Sequence, residues 1–236
     1  MSLKDYRISL LPHVTRIVAD ATATKAQPLG AVPTAGRRRS LFLAPRQNQH
    51  FLMVLFAGYA DLADSLSHLR QIDRYLTRTP TRTAPTTRSA YLSYHYNAFL
   101  NTLAIIEERI AHHLTLLSHK YRFEPDAPRI QKALEELQKL VSSALKPSRE
   151  LREKQSQEKN FTHPQIEHFR IIETISVSNQ SPFNKQAVEQ TFKHTRKIIR
   201  DTVQEHTLKV QGIVDSVFRV LKQLVMRGGG VRFPVR

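Results

Sequence analysis

The sequence predicts an all-α fold, a bundle of about five to seven helices with a long antiparallel helical hairpin. Three observations carry this. Apolar residues recur at alternating three- and four-residue spacing over several long segments, which puts them on one face of a helix. No segment shows the strict alternation of a half-buried strand. Pro-, Gly- and Thr-rich breaks separate the periodic segments.

Residues 47 to 78 place Leu52, Leu55, Tyr59, Leu62, Leu66, Leu69 and Leu76 on one stripe. The segment from 89 to 121 repeats the pattern with Tyr96, Phe99, Leu103, Ile106, Ile110 and Leu117, and Ser89 suits its N-cap. Between them, "TRTPTRTAPTTRS" carries Pro80 and Pro85 and cannot supply a core, so the two stripes read as a hairpin joined by an exposed basic loop. A turn at "FEPDAPR" leads to a third helix from 127 to 145, with Ile130, Leu134, Leu137, Val141 and Leu145 apolar. Pro147 is expected to stop it, leaving a short polar helix from Ser148 to about Lys159. The last long helix, about 185 to 227, aligns Val188, Phe192, Ile199, Val203, Val210, Val217 and Leu224 before Gly228, Gly229 and Gly230. The pattern divides the chain into a helical and linker segment at 1–46, with helix around Pro12, a helical domain at 47–227, and a basic Gly-containing tail at 228–236.

A chain of 236 residues is long enough to bury a core without staples, and it contains no Cys. That excludes a disulfide framework, a thiolate nucleophile and Cys-based zinc sites, and favours a reducing, cytoplasmic setting. The longest apolar run, "FLMVLFAGYA", is too short to span a membrane. The charge is the strongest compositional signal: 36 Lys and Arg against 20 Asp and Glu give +16 at pH 7. Such a field attracts polyanions, and each phosphate neutralised by a basic residue releases condensed counterions. From Arg74 to Ile105 the chain has no acidic residue, and Arg74, Arg78, Arg82 and Arg88 fall there, followed by Tyr91, Tyr94 and Tyr96. These arginines are the candidate nucleic-acid contacts and the tyrosines candidate stacking platforms, although Tyr96 also lies on the apolar stripe. The expected partner is RNA or single-stranded nucleic acid.

Catalytic signatures are sparse. No phosphate-cradling Gly loop, zincin helix or nucleophile elbow occurs, and no cofactor is implied. Glu108 and His112 in "ERIAHH" share a helix face at metal-ligand spacing, but no third ligand accompanies them, so no metal site is assigned. The 11 His residues are the main supply of acid–base groups near neutral pH.

The hairpin carrying "YLSYHYNAFLNTL", the third helix, and a short basic segment with a closing His before another helix resemble the HEPN superfamily over roughly residues 47 to 225. The resemblance implies a metal-independent ribonuclease of toxin or defence type, or a degenerate non-catalytic relative. It further implies a homodimer with its cleft between subunits and a cognate antitoxin or complex partner. The family motif is an Arg followed, after four to six residues, by a His, often with a polar residue directly after the Arg. Arg7 with His13, Arg88 with His95, and Arg200 with His206 have the spacing, about as many as chance produces. Only "RDTVQEH" has the polar second position, in Asp201. On one helix, however, residues six apart point about 120° from each other.

A second candidate, "EKNFTH", departs from the motif, with Lys159 in place of Arg and three residues before His163. Its setting is favourable for an anion: Asn160 suits a helix end and Pro164 the first position of the next helix, which places His163 among amide donors. Arg152 adds charge from the preceding segment. In this reading His163 is the general acid or base, Lys159 and Arg152 stabilise the phosphoryl oxygens, and Asn160 orients the phosphate. An ordinary capping junction fits the same residues. Beside the nuclease stand a non-catalytic nucleic-acid-binding or assembly subunit and a helical protein-interaction module.

Overall fold

The computed structural model describes residues 3–25, 39–78, 87–157, 163–178, 182–227 and 230–234. Six helices account for nearly all of them: α1 (Leu3–Lys25), α2 (Arg39–Thr77), α3 (Arg88–Lys120), α4 (Ala127–Gln157), α5 (Pro164–Ser178) and α6 (Pro182–Val225). Two short strands, β1 (Met226–Arg227) and β2 (Gly230–Val231), pair antiparallel. The expected all-α bundle is what forms. Among the described residues, no helix is long and apolar enough to cross a membrane.

The stripes read from periodicity are the core. All seven α2 positions and all six α3 positions on the two stripes are buried, as are Ile130, Leu134, Leu137, Val141 and Leu145 of α4. In α6 the register drifts at its ends: Val188 and Leu224 are only half-buried, while Phe192 through Val217 hold the buried face. The hairpin is antiparallel, since Gly58 meets His113, Asp61 O accepts from Arg109, and Tyr75 O accepts from Tyr91.

Three local expectations need correction. α2 starts at Arg39 rather than near 47 and runs through Pro45. Thr87, not Ser89, caps α3: its Oγ1 accepts from Ala90 N at 3.3 Å and its carbonyl accepts from Tyr91 N at 3.0 Å. Pro147 does not end the third helix; α4 runs through it to Gln157. Leu145 and Ser148 on either side of Pro147 are buried, and Arg149 one half-turn on reaches Glu107 of α3 and Ser142 Oγ, so tertiary contacts offset the lost backbone bond. The basic Gly-containing tail is also held by contacts. Arg232 donates to Glu124 at 2.9 Å and Asp126 at 3.2 Å, its carbonyl accepts from Tyr121 Oη at 2.8 Å, and Phe233 packs edge-on against Phe51.

The chain forms two compact units, one from residues 1–63, 109–139 and 214–236, the other from 64–108 and 140–213. In the first, Tyr6 packs edge-on against Phe218 at 4.9 Å, and the Leu3 amide is capped by the Asp215 carboxylate at 2.7 Å. His113 stacks on Phe218 there, 3% exposed, with neither ring nitrogen hydrogen-bonded among the described residues. The second unit holds the candidate site.

Candidate nucleic-acid interface

The site is built where α3 begins. A helix start leaves backbone N–H groups unpaired, and α5 supplies the acceptor. The Glu173 carboxylate takes the Arg88 amide at 2.9 Å, the Ser89 amide at 3.1 Å and the Ser89 hydroxyl at 2.6 Å. This fixes Arg88 at the first position of the helix. Its guanidinium then donates to Glu189 of α6 at 2.6 Å and lies over the Phe192 ring, 4.9 Å from its centre. Arg196, one turn along α6, approaches the same ring at 5.3 Å. The Glu189 carboxyl is held below its usual range, first by the hydrogen bond from Arg88.

One and two turns into α3, an aromatic cluster closes around His95. Tyr75 of α2 stacks on the imidazole at 5.3 Å, Tyr91 meets it edge-on at 4.5 Å, and Tyr94 does so at 5.2 Å. The Tyr91 hydroxyl donates to the Tyr75 carbonyl at 2.5 Å, tying the last turn of α2 to α3, and the Arg78 amide uses the same carbonyl at 3.0 Å. Burial pushes the Tyr91 phenol up, opposed by the Arg196 and Arg78 guanidiniums nearby. Burial also holds His95 below its ordinary value, which favours the neutral imidazole. Tyr75 and Tyr94 are 45% and 69% exposed, whereas Tyr96 is buried in the core. The result is a surface where aromatic rings packed around His95 lie beside guanidiniums.

The structure thus gathers some of the residues expected from sequence and separates others. Arg74 and Arg78 are exposed at the end of α2; Arg88 joins them across the hairpin but faces Glu189. Arg82 lies outside the described residues. Arg196 was missed, because only the fold brings α6 to the hairpin end. Tyr75 was missed too, although it sits one residue after Arg74 and off the apolar stripe, which is a readable sign of exposure.

The two sets proposed for cleavage are placed as follows. His163 is the N-cap of α5: its carbonyl accepts from Ile166 N at 2.8 Å and Glu167 N at 3.0 Å, and its Nδ1 accepts from Gln165 N at 3.2 Å. The proton therefore sits on Nε2, and the ring packs edge-on against Tyr96 at 5.1 Å, with burial lowering its pKa. Arg152 is exposed on α4, and Lys159 and Asn160 lie outside the described residues. In the other set, Arg200 pairs with Asp73 of α2 at 3.5 Å, Asp201 is exposed, and His206 Nδ1 bonds the Thr202 carbonyl at 2.9 Å while its ring meets Phe99 edge-on. These three side chains serve different neighbours. Glu108 and His112 are both exposed, and no three His, Cys, Asp or Glu side chains gather as a metal site among the described residues.

No protein-family model, curated protein or solved structure matches this chain. The site's own chemistry carries the functional argument.

Proposed function

We propose that this chain binds RNA or single-stranded nucleic acid through the face made by Arg74, Arg78 and Arg196 with Tyr75, Tyr91 and Tyr94, together with Arg82 of the basic segment that follows Arg78. The observation that carries the reading is the aromatic cluster around His95, with two guanidiniums acting on the Tyr91 hydroxyl. Rings that pack on His95 yet stay exposed offer stacking to any base, and the adjacent cations offer charge to the phosphates. The +16 charge of the chain adds long-range attraction.

Binding rather than cutting is the better-supported activity. The cleavage implied by the HEPN resemblance needs an imidazole and a cation converging on one phosphate. His163 uses Nδ1 as a helix cap and His206 uses Nδ1 on its own helix, and among the described residues neither meets an Arg or Lys. Incubating labelled RNA with the protein in excess chelator separates the two activities. Loss of cutting in His163→Ala or His206→Ala, with binding retained, would establish a nuclease.

The binding test is fluorescence anisotropy with a single-stranded RNA over a salt series. Replacing Arg74, Arg78 and Arg82 by Ser should weaken binding on all sequences alike. It should also flatten the slope of log K against log salt by about two, at ~0.7 per phosphate contact for a single strand. Unchanged affinity and slope would remove this face from the account.

A further inference from the structure

We propose that the cavity beside Tyr94 receives one unpaired nucleobase, so that the surface described above selects single-stranded over duplex nucleic acid. The proposal deepens the nucleic-acid reading and rests on it. The cavity is about 750 Å³, and its walls include Thr87, Ser89, Ser93 and Tyr94 of the α3 start and Arg170 and Glu173 of α5. That volume falls within the usual range for small-molecule sites, about 300–1,000 Å³.

The charges on its walls decide the ligand class. Arg170 is held by Glu167 through two bonds, at 2.9 and 2.6 Å, and Glu173 is satisfied by three donors from the start of α3. The cation is thus matched by a carboxylate, and the carboxylate of Glu173 is satisfied by neutral donors. A phosphate would find no unmatched cation, whereas a neutral heterocycle brings no charge to compensate. The remaining walls suit such a ring. Tyr94 is 69% exposed and meets His95 edge-on at 79°, so one edge of its ring is packed while its face remains open to stacking. The Ser93 hydroxyl has no hydrogen-bond partner among the described residues, and it can donate to or accept from a base edge. Ser89 Oγ and Thr87 Oγ1 lie 3.3 Å apart and keep lone pairs for exocyclic amines. The phosphates on either side of the inserted base fall to Arg78 and Arg196, the cations acting on the Tyr91 hydroxyl. A paired base cannot enter without leaving its stack, and this is the origin of the selectivity.

Two measurements test this. Adenosine and uridine, which are uncharged, are titrated into ¹⁵N-labelled full-length protein, and the Ser93 and Tyr94 amide shifts are followed. In parallel, single-stranded and duplex RNA of one length are compared by anisotropy on the parent, Tyr94→Ala, Tyr94→Phe and Ser93→Ala, each first checked for helicity. We expect saturable nucleoside shifts at Ser93 and Tyr94. Tyr94→Ala should lower single-strand affinity roughly 5- to 150-fold, the equivalent of one lost base–aromatic stack, with the salt slope and duplex affinity unchanged. Tyr94→Phe should retain the affinity. If nucleosides leave these amides unmoved, or if Tyr94→Ala binds single strands like the parent, the base site is wrong even where salt-dependent RNA binding persists. If the protein binds no polynucleotide at any salt while the nucleoside shifts appear, the cavity stands and the nucleic-acid reading fails.

Discussion

Gly58 in α2 lies against His113 of α3 so closely that a single methyl group at this position tests the packing of the first unit. A Cβ built there stands 2.5 Å from His113 Cε1 and 2.8 Å from Cγ, and closer still to Nδ1. Carbon atoms in contact prefer about 3.5–4.0 Å, so the imidazole must retreat by roughly 1 Å. It has little room to do so, being 3% exposed and stacked on the fully buried Phe218 at 22°. Overpacking of this kind costs about 1–3 kcal/mol, and the rigid neighbour on the far side argues for the upper end. Alanine is favoured over glycine within a helix by about 1 kcal/mol, which offsets part of it. The net expectation for Gly58→Ala is a destabilisation of about 2 kcal/mol, or roughly 4–8 °C in Tm for a chain of this size. Thermal melts followed by circular dichroism at 222 nm measure it. The double variant Gly58→Ala/His113→Ala supplies the control, because removing the ring should make the added methyl group neutral or favourable. A Gly58→Ala protein as stable as the parent would mean that the hairpin does not approach this closely, and the reasoning would fail.

Two further outcomes follow from the same packing logic. Burial depresses His113 to about 4, with His112 reinforcing and Asp61 opposing, while the unfolded chain titrates near the ordinary 6.5. The neutral ring therefore contributes stability that is complete above about pH 6.5 and lost as pH falls towards about 4, roughly 3 kcal/mol in all. Tm measured from pH 7.5 to 4 should fall more steeply in the parent than in His113→Phe, and parallel curves would refute the assignment. Pro147→Ala restores a backbone donor inside α4 and should raise Tm, by an amount below the ~3 kcal/mol cost of a helical proline because proline also restricts the unfolded chain. A lower Tm would show that the ring at 147 is used in packing.

What was legible in the sequence is what depends on period. A helix repeats every 3.6 residues whatever surrounds it, so Leu52 through Leu76 and Tyr96 through Leu117 could be assigned to buried faces before any partner was known. The same geometry separates His112 from His113: neighbours point about 100° apart, which leaves one exposed and the other in the core. What could not be read is decided by contacts distant in the chain. Pro147 obeys its local rule only when nothing else holds the helix, and the Arg149–Glu107 pair lies 42 residues apart. Glu173 caps a helix that begins 85 residues earlier, and no sequence signal joins Glu173 to Arg88. The tail reads as basic because Glu124 and Asp126, the carboxylates that neutralise Arg232, are over 100 residues away.

The arginines consequently divide into two kinds, and the division sharpens what the net charge means. Arg88, Arg149, Arg200 and Arg232 each face a carboxylate on another part of the fold, so their charges are matched where they stand. Two of these carboxylates are well shielded: Glu124 is 5% and Glu107 19% exposed at the side chain. Removing the cation from such a pair leaves a poorly solvated anion and threatens the fold before it affects any ligand. Arg74 and Arg78 are different, since both are exposed at the end of α2 and neither is in an ion pair among the described residues. Among the described residues their charge is uncompensated and available to a partner. A scan that pooled Arg88 with Arg74 and Arg78 would therefore confuse loss of structure with loss of binding, and Arg88 belongs with Glu173 and Glu189 as part of the framework that positions Tyr91, Tyr94 and His95. In the proposed binding mode the net charge attracts a polyanion from a distance, and the exposed arginines beside the tyrosines determine where it settles.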